Sequence, residues 1–361
     1  MKMKEKLGEI FEIGSGGTPS KAHPEYYGGE IPWVKTGDLK GEYLYDVEDC
    51  ITEAGLKNSS AKIYESDTVL IAMYGATIGA TSILKFPACT NQACAAFKKS
   101  DLVLPEFLYY FLKSQKTKFI KDGIGGAQPN ISVSYLKQVE MDLCSIAEQK
   151  KIIDALDVTS HIITAYQQQL QKLDELVKAR FVEMFGDIRT NNKELKTAKG
   201  SELFKFSSGK FLPEGKRKNA GIPVYGGNGI AWYTDEPLID YPTIIVGRVG
   251  AQCGNIHFVN VPVWITDNAI YIKKQKTDLF TLEFLTEMMT VIDFSQFADF
   301  SGQPKITQKP LENTEYLIPT IEEQKAFSAF CKQVDKSKVA VQKALDEAQL
   351  LFDSLMQKYF G

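Results

Sequence analysis

The sequence predicts an α+β fold in which a mixed α/β domain followed by a long helix occurs twice in tandem. Three observations predict it: two stretches of about 40 residues without proline or glycine, one hydrophobic seam common to both, and a repeated spacing of 175 residues between matching motifs. A repeat of that length indicates two domains and not a solenoid. The predicted domains are 1–144 and 188–318, and the predicted long-helix segments are 145–187 and 319–361.

The first long helix is predicted to begin at Ser145, because Ser145 and Glu148 have the spacing of a capping box. Gly186 is the kind of residue expected just past a helix end. Mostly apolar residues recur every seven positions in two adjacent columns, as in a coiled-coil seam. The columns are Leu156, Ile163, Leu170, Val177, Met184 and Ile152, Thr159, Tyr166, Leu173, Arg180.

The second long helix repeats the first, with a capping box at Thr320 and Glu323. Its columns are Phe327, Val334, Val341, Ala348, Leu355 and Cys331, Lys338, Leu345, Phe352, Tyr359. Matched seams in one chain predict that the two helices pack on each other over roughly 60 Å. An ordinary pair of core helices is the alternative.

The two domains share an order of short strands, glycine turns and an amphipathic helix. In the first, strands are predicted at 68–74, 80–84, 92–97 and 139–143, and a helix at Pro105. In the second, 243–249, 266–269 and 303–306 match 68–74, 90–93 and 128–131 at spacings of 175 or 176 residues. Gln128-Pro129 and Gln303-Pro304 are predicted to shape the turn before the last strand of each domain.

Composition narrows the class of protein without identifying it. The net charge of −3 gives no overall signature of a nucleic-acid binder. Six cysteines without a C-x-x-C pair fit a reducing cytoplasm better than a zinc site or a disulfide framework. Because no apolar run reaches 18 residues and no signal segment opens the chain, a soluble, non-secreted protein with no membrane partner is expected.

The whole chain resembles the specificity (S) subunit of type I restriction-modification enzymes. The motifs that carry the resemblance are Ile31-Pro32-Trp33-Val34-Lys35-Thr36-Gly37-Asp38-Leu39, Gly75-Ala76-Thr77-Ile78-Gly79, Gly126-Ala127-Gln128-Pro129-Asn130-Ile131 and Ile146-Ala147-Glu148-Gln149-Lys150. The second half departs from the first at Tyr225-Gly226-Gly227-Asn228, where the first half has Lys35-Thr36-Gly37-Asp38.

The resemblance implies a non-catalytic, cytoplasmic subunit that binds double-stranded DNA. Each domain would be a target-recognition domain that reads one half of a bipartite site. The helices would form an antiparallel coiled coil that sets the spacing, so that inserting about four residues lengthens the spacer by a base pair or two. Two modification subunits would carry S-adenosylmethionine and methylate adenine, and restriction subunits, where present, would use ATP and magnesium. No cofactor would lie on this chain.

Candidate DNA contacts are loop residues able to reach phosphates or base edges. They are Lys21, Lys35, Thr36 and Tyr74 in the first half, and Lys210, Lys216, Arg217, Lys218 and Arg248 in the second. Arg248 ends a predicted buried strand at a glycine turn, and Tyr74 is expected at nearly the equivalent position. A solvated loop is the alternative for Lys216–Lys218, and an internal ion pair for Arg248.

Partner-binding candidates are apolar residues of the first helix that lie off the seam, namely Leu176, Phe181, Val182 and Phe185. Packing on the chain's own domains is the alternative. Two other functions stay open: a scaffold whose domains bind protein, and a nuclease that uses the spacing of Asp142, Glu148 and Lys150 or of Asp187, Glu194 and Lys196, which we attribute to chance.

Overall fold

A computed structural model describes residues 3–123 and 130–361. The turn predicted at Gln128-Pro129 lies outside these residues. The helices are α1 Leu7–Ile10, α2 Glu53–Lys57, α3 Pro105–Ser114, α4 Lys116–Asp122, α5 Val133–Gln138, α6 Ile146–Phe185, α7 Gly200–Leu203, α8 Leu282–Ile292, α9 Gln308–Asn313 and α10 Ile321–Phe360.

The strands of the first half are β1 Met3–Lys6, β2 Ile13–Ser15, β3 Tyr27–Val34, β4 Tyr43–Leu44, β5 Cys50–Ile51, β6 Ile63–Tyr64, β7 Val69–Ala72, β8 Thr81–Leu84, β9 Ala88–Thr90, β10 Cys94–Phe97 and β11 Glu140–Leu143. Those of the second half are β12 Thr197–Lys199, β13 Phe204–Ser208, β14 Ile222–Gly226, β15 Gly229–Thr234, β16 Thr243–Gly247, β17 Ile256–Val259, β18 Trp264–Ile265, β19 Ala269–Gln275 and β20 Glu315–Leu317. Most lie at the predicted places, one to three residues shorter than predicted.

The chain packs as two compact units. Unit 1 comprises Met1–Ala165 and Ala344–Gly361, and unit 2 comprises Tyr166–Lys343. The boundary therefore falls inside both long helices, since α6 begins in unit 1 and ends in unit 2 while α10 does the reverse. The predicted domains follow secondary structure, whereas these units follow packing.

Each unit contains the same pair of sheets. In unit 1 the larger sheet has the order β2-β10-β7-β8-β4, and in unit 2 the corresponding order is β13-β19-β16-β17. The smaller sheets are β5-β3-β9-β6 and β15-β14-β18, and each contains one parallel pair, β3 with β9 and β14 with β18. A two-stranded ladder, β1-β11 or β12-β20, precedes each long helix. The predicted duplication is confirmed at the level of topology.

The central strands are apolar on both faces because both faces are covered. In β7, Val69 and Ile71 face one buried cluster and Leu70 and Ala72 face another. In β16, Ile244 and Val246 likewise belong to a different cluster from Ile245. The loop that follows each central strand therefore starts from a rigid position.

The seams of both long helices are covered along their whole length, as predicted. Every seam position is buried or half-buried, and between Ile163 and Val177 the seam residues are the ones that are not exposed. The hydroxyl oxygen of Ser145 accepts from the N–H of Glu148 at 3.3 Å, and Thr320 and Glu323 form a reciprocal capping box. Gly186 adopts φ +81° just past α6, where an L side chain would be strained.

The helix pair is antiparallel, as contacts inside each unit show. In unit 1 the beginning of α6 shares a core with the end of α10, including Leu156 and Phe352. In unit 2 the end of α6 meets the beginning of α10, where the ring centroids of Phe181 and Phe327 are 5.5 Å apart. Further along unit 2, Lys338 Nζ lies 2.7 Å from a carboxylate oxygen of Asp174.

Candidate nucleic-acid interface

The loops after several strands meet at one edge of unit 1, which we call edge 1. It comprises 16–18, 35–36, 74, 91–92 and 130. Because β3 and β9 are parallel, their carboxyl ends lie side by side, and the N–H of Asn91 donates to Val34 O at 2.9 Å. The loop after β7 joins them, since the N–H of Met73 donates to Ala93 O at 2.8 Å.

The candidates of edge 1 differ in availability. Tyr74 is 41% exposed, and its backbone forms a bridge with Asn130. Lys35 is held by its own unit, because its ammonium lies 2.5 Å from Asp49 and 5.6 Å from the centroid of the Trp33 ring. Thr36 begins the helical turn after β3 and is half-buried.

Lys21 is exposed on the loop that leaves edge 1 at Thr18. The hydroxyl of Thr18 donates to the side-chain oxygen of Gln92, which ties the start of that loop to the end of β9. Within the described part of the chain Lys21 makes no ion pair. Its ammonium is therefore available for a phosphate.

The corresponding edge of unit 2, edge 2, comprises 208–210, 226–229, 248–250, 267–268 and 303–305. The N–H of Arg248 donates to Asn268 O at 2.9 Å, and its guanidinium Nη1 donates to Asp267 O at 3.4 Å. The N–H of Lys210 donates to Ile265 O, which places exposed Lys210 at the same edge. A Cβ on Gly227 would lie only 3.0 Å from Val249 O, so the β14–β15 turn packs closely against this loop.

Three amide side chains also lie at edge 2: Asn228, Asn268 and Gln303. All three are exposed, and within the described residues no hydrogen bond occupies their side chains. Asparagine and glutamine can pair bidentately with adenine, as arginine can with guanine. Edge 2 therefore presents Arg248 among free amides. The internal ion pair considered for Arg248 is not formed, because its guanidinium contacts a carbonyl.

Sequence reasoning missed these amides. The stretches 90–93 and 266–269 served only as markers of the repeat, and Gln303 only as a turn former. Their place at the ends of parallel-paired strands was the available signal, but it depends on knowing which strands pair.

The structure does not bring Lys216–Lys218 to edge 2. Lys218 pairs through its backbone with Tyr233, which is four residues along β15 from Gly229, or roughly 13 Å. The cluster is also neutralised by its own unit. Lys216 pairs with Glu236 at 3.2 Å, Lys218 with Asp235, and Arg217 with Glu214 and the Trp232 ring.

Tyr74 is not the counterpart of Arg248. The N–H of Ile131 donates to Met73 O at 3.0 Å, and the N–H of Ile306 donates to Arg248 O at 2.9 Å. Met73 is thus the equivalent of Arg248, and its side chain is buried. Tyr74 corresponds to Val249, whose backbone bridges Lys305 as that of Tyr74 bridges Asn130. The prediction was wrong by one residue, which in extended chain places the side chain on the other face.

His257 contributes no positive charge to edge 2. Burial lowers its pKa, although a hydrogen bond with the backbone of Gly227 opposes that effect. Its Nε2 is buried without a hydrogen-bond partner among the described residues, and its ring lies 5.8 Å from that of Tyr225. A neutral imidazole therefore packs beneath the β14–β15 turn.

Two of the four partner-binding candidates are corrected by the structure. Phe181 and Phe185 are fully buried in unit 2, where both rings contact Phe284 and Phe327. A third element, α8, covers the face that a two-helix rod would leave open. Leu176 and Val182 are 46% and 47% exposed.

Neither metal binding nor a membrane span is evident in the described ranges. No cluster of His, Cys, Asp and Glu within 3–123 and 130–361 could hold a metal ion. In those same ranges, no helix has the length and apolarity needed to cross a bilayer.

A domain that occurs twice, each time with a long helix and with polar loops gathered at one edge, defines a duplicated binding protein. The family described as Type I restriction modification DNA specificity domain matches residues 2–175 and 192–348. The chain belongs to this family of type I restriction-modification specificity subunits, and recognition of a DNA sequence is inferred from that membership.

Individual relatives agree with this assignment. The chain is 25% identical to the type I restriction enzyme EcoprrI specificity subunit of Escherichia coli over 91% of this chain and 86% of the relative. It is 34% identical to the MjaIX specificity subunit of Methanocaldococcus jannaschii over 53% of this chain and 45% of that protein.

Solved structures share the fold. A type I restriction-modification S subunit from M. genitalium superposes with a TM-score of 0.59 at 18% identity, covering 99% of this chain and 96% of the other. A chain from a study of complex assembly and conformational transition of the type I R-M system gives a TM-score of 0.62 at 16% identity, covering 99% and 97%.

Proposed function

We propose that each unit reads one half of a bipartite DNA site, edge 1 in one half-site and edge 2 in the other. The observation that carries the proposal is the convergence of Arg248 with the free amides of Asn228, Asn268 and Gln303 at one edge. These groups match the hydrogen-bonding pattern of base edges in the major groove. Exposed lysines such as Lys21 and Lys210 supply phosphate contacts.

Edge 1 carries a different set of side chains, centred on Tyr74, Gln92 and Asn130. Two units with the same strand order and different residues at the strand ends suit two different half-site sequences. Lys35 and the paired cluster at Lys216–Lys218 would contribute to phosphate binding after exchanging their internal partners, because exposed ion pairs are worth only about 0–1 kcal/mol.

The antiparallel pair of α6 and α10 would set the spacing between the half-sites. Each helix spans 40 residues, which corresponds to about 60 Å. A continuous seam resists bending better than a flexible linker would. Two half-sites separated by unread DNA then follow, as for dimeric DNA-binding proteins.

The partners in this proposal are two modification subunits and, where present, restriction subunits. The exposed side chains of Leu176 and Val182 would contact a modification subunit. S-adenosylmethionine would belong to the modification subunits, and ATP and magnesium to the restriction subunits. This chain would have no catalytic activity of its own and would act in the cytoplasm, where its DNA is.

Methylome sequencing tests the function directly. A host lacking its own adenine methyltransferases would express this chain with its cognate modification subunit. We expect methylated adenine in one bipartite motif, and we expect exchange of residues 188–318 for those of a relative to change one half of it. Association with the partners without any DNA motif would favour a protein-binding scaffold. Motif-specific DNA cleavage by the purified chain alone would favour a nuclease.

A further inference from the structure

A short, closed loop projects from edge 2. It runs from Asp299 to Lys305, and its ends are joined by two backbone hydrogen bonds of 2.9 and 3.2 Å. The carboxylate of Asp299 accepts from the N–H of Ser301 at 2.9 Å, which fixes the first turn of the loop. The loop is therefore shaped by its own bonds.

The same loop is bound to the strand end that carries Arg248. The N–H of Gly250 donates to Pro304 O at 2.8 Å, and the N–H of Ile306 donates to Arg248 O. Gly250 adopts φ +95°, a conformation that glycine reaches without strain. On the other side, Phe294 is fully buried, so the chain that leads into the loop starts from the core.

The tip of the loop exposes an aromatic ring. Phe300 is 71% exposed, and a Cβ added to Gly302 would meet nothing within 4 Å. A phenyl ring on a pre-shaped loop is an unusual group to leave in water, since burying it would gain about 1.5–3 kcal/mol. The exposed side chains beside it, Gln303 and Lys305, are polar and not the apolar rim of a protein-binding patch.

The ring belongs to only one of the two repeats. At the spacing of 175 residues Phe300 corresponds to Gly125, while Gln303 and Pro304 correspond to Gln128 and Pro129. Two copies of one partner protein would meet equivalent surfaces in both repeats. An aromatic residue present once fits a role in one half-site better than a role in a shared docking surface.

We propose that Phe300 stacks on a base of the half-site read by unit 2 and partly unstacks one base step there. Apolar side chains that wedge between base pairs act in this way in other DNA-binding proteins, and base–aromatic stacking tolerates any base sequence. Arg248 and Lys305 would hold the flanking phosphates and base edges while the ring enters. The inference rests on the proposed function of edge 2.

The test uses the complex of this chain with its modification subunits and a duplex bearing the methylated motif. The adenine analogue 2-aminopurine is placed at successive positions of each half-site, and its fluorescence reports unstacking. We expect a rise in one half-site only, and we expect F300A to abolish it. The same variant should weaken binding by about fivefold to 150-fold, the range that stacking of one base spans.

Three comparisons make the result specific. F300W should keep the fluorescence change. F300A should leave the salt dependence of binding unchanged, because no phosphate contact is lost. Tyr241→Ala removes another exposed ring at the opposite end of β16, 36% exposed, and should bind as the wild type does.

Unchanged affinity and fluorescence in F300A would overturn the inference while leaving the proposed function intact. Loss of complex assembly in F300A would overturn it in favour of a protein contact. A wild-type complex without sequence-dependent binding would overturn the proposed function itself and the role of Phe300 with it.

Discussion

The side-chain oxygen of Gln149 accepts a hydrogen bond from the N–H of Leu104 at 2.9 Å, and Gln324 accepts in the same way from Thr281. Each amide nitrogen donates to two carbonyls, Leu102 O and Cys144 O or Leu279 O and Pro319 O. Both glutamines are fully buried. The repeated Glu-Gln-Lys thus fixes the first turn of each long helix to the segment before α3 or α8.

Replacing Gln149 by leucine keeps the volume and removes all three bonds. The N–H of Leu104 and two carbonyls would then stay buried without partners, so we expect a loss of about 2–4 kcal/mol in the free energy of unfolding. Urea denaturation of the full chain measures it. Gln168→Leu, on the exposed part of the same helix, should change stability by less than about 0.5 kcal/mol. Equal effects of the two variants would contradict the role of the clamp.

The spacing between half-sites should follow the length of the helix pair. One heptad inserted after Gln168 and one after Lys343 keep both seams in register and lengthen each helix by about 10 Å. Methylome sequencing should show a spacer longer by about three base pairs, at 3.4 Å each. The same heptad in α6 alone breaks the register and should destabilise the chain. A paired insertion that leaves the spacer unchanged would refute the spacing mechanism.

Arg248 and Lys218 should affect DNA binding in different ways. Arg248→Ala removes a base contact, so we expect discrimination at one base pair to fall by about 1–3 kcal/mol. Lys218→Ala should weaken binding slightly and equally for all sequences, with a shallower salt dependence. Competition binding with single-base variants of the motif distinguishes them. Uniform weakening by Arg248→Ala would make it a phosphate contact instead.

The exposed apolar residues of α6 should be needed for assembly. Leu176→Asp and Val182→Asp place a charge where a modification subunit is expected to dock, and we expect co-purification to be lost while the circular dichroism of the chain is unchanged. Phe181→Asp differs by burying that charge in the core, so it should unfold unit 2. Complexes that form normally with both exposed variants would place the contact elsewhere.

Stability should rise at neutral pH when Glu287 is replaced by glutamine. Burial raises the pKa of Glu287, and the nearby carboxylate of Asp335 raises it further. Above that pKa the folded state holds a disfavoured charge that the unfolded chain carries freely, so the wild type loses stability as pH rises.

The urea midpoint of Glu287→Gln should therefore exceed that of the wild type at pH 7. The difference should shrink as pH falls through the raised pKa, and vanish below the ordinary glutamate value of about 4.3. Glu283→Gln, an exposed change on the same helix, is the control. A stabilisation that does not depend on pH would exclude this cause.

The repeat, the long helices and their seams could be predicted because they depend on local periodicity and on comparison of the chain with itself. The capping boxes and Gly186 are equally local. Which helix faces remain open is not local: Phe181 and Phe185 lie off the seam of a two-helix pair, yet α8 comes from about 100 residues away to cover them.

The candidate sites were harder to predict because they depend on strand pairing. The parallel pairing of β14 with β18 brings Asn268 to Arg248, and no short-range pattern contains that information. Basic residues were easy to find, but Asp235 and Glu236, close to them only through the hairpin, neutralise two of them.

The division of unit 1 into two separate pieces of chain has a consequence for its biosynthesis. Residues 344–361 leave the ribosome after every residue of unit 2, yet Phe360 packs against Phe107 with ring centroids 5.2 Å apart. The amino-terminal unit must therefore wait, with part of its apolar surface unpaired, until translation has passed the second. A nascent chain in that interval is the form that chaperones would be expected to meet.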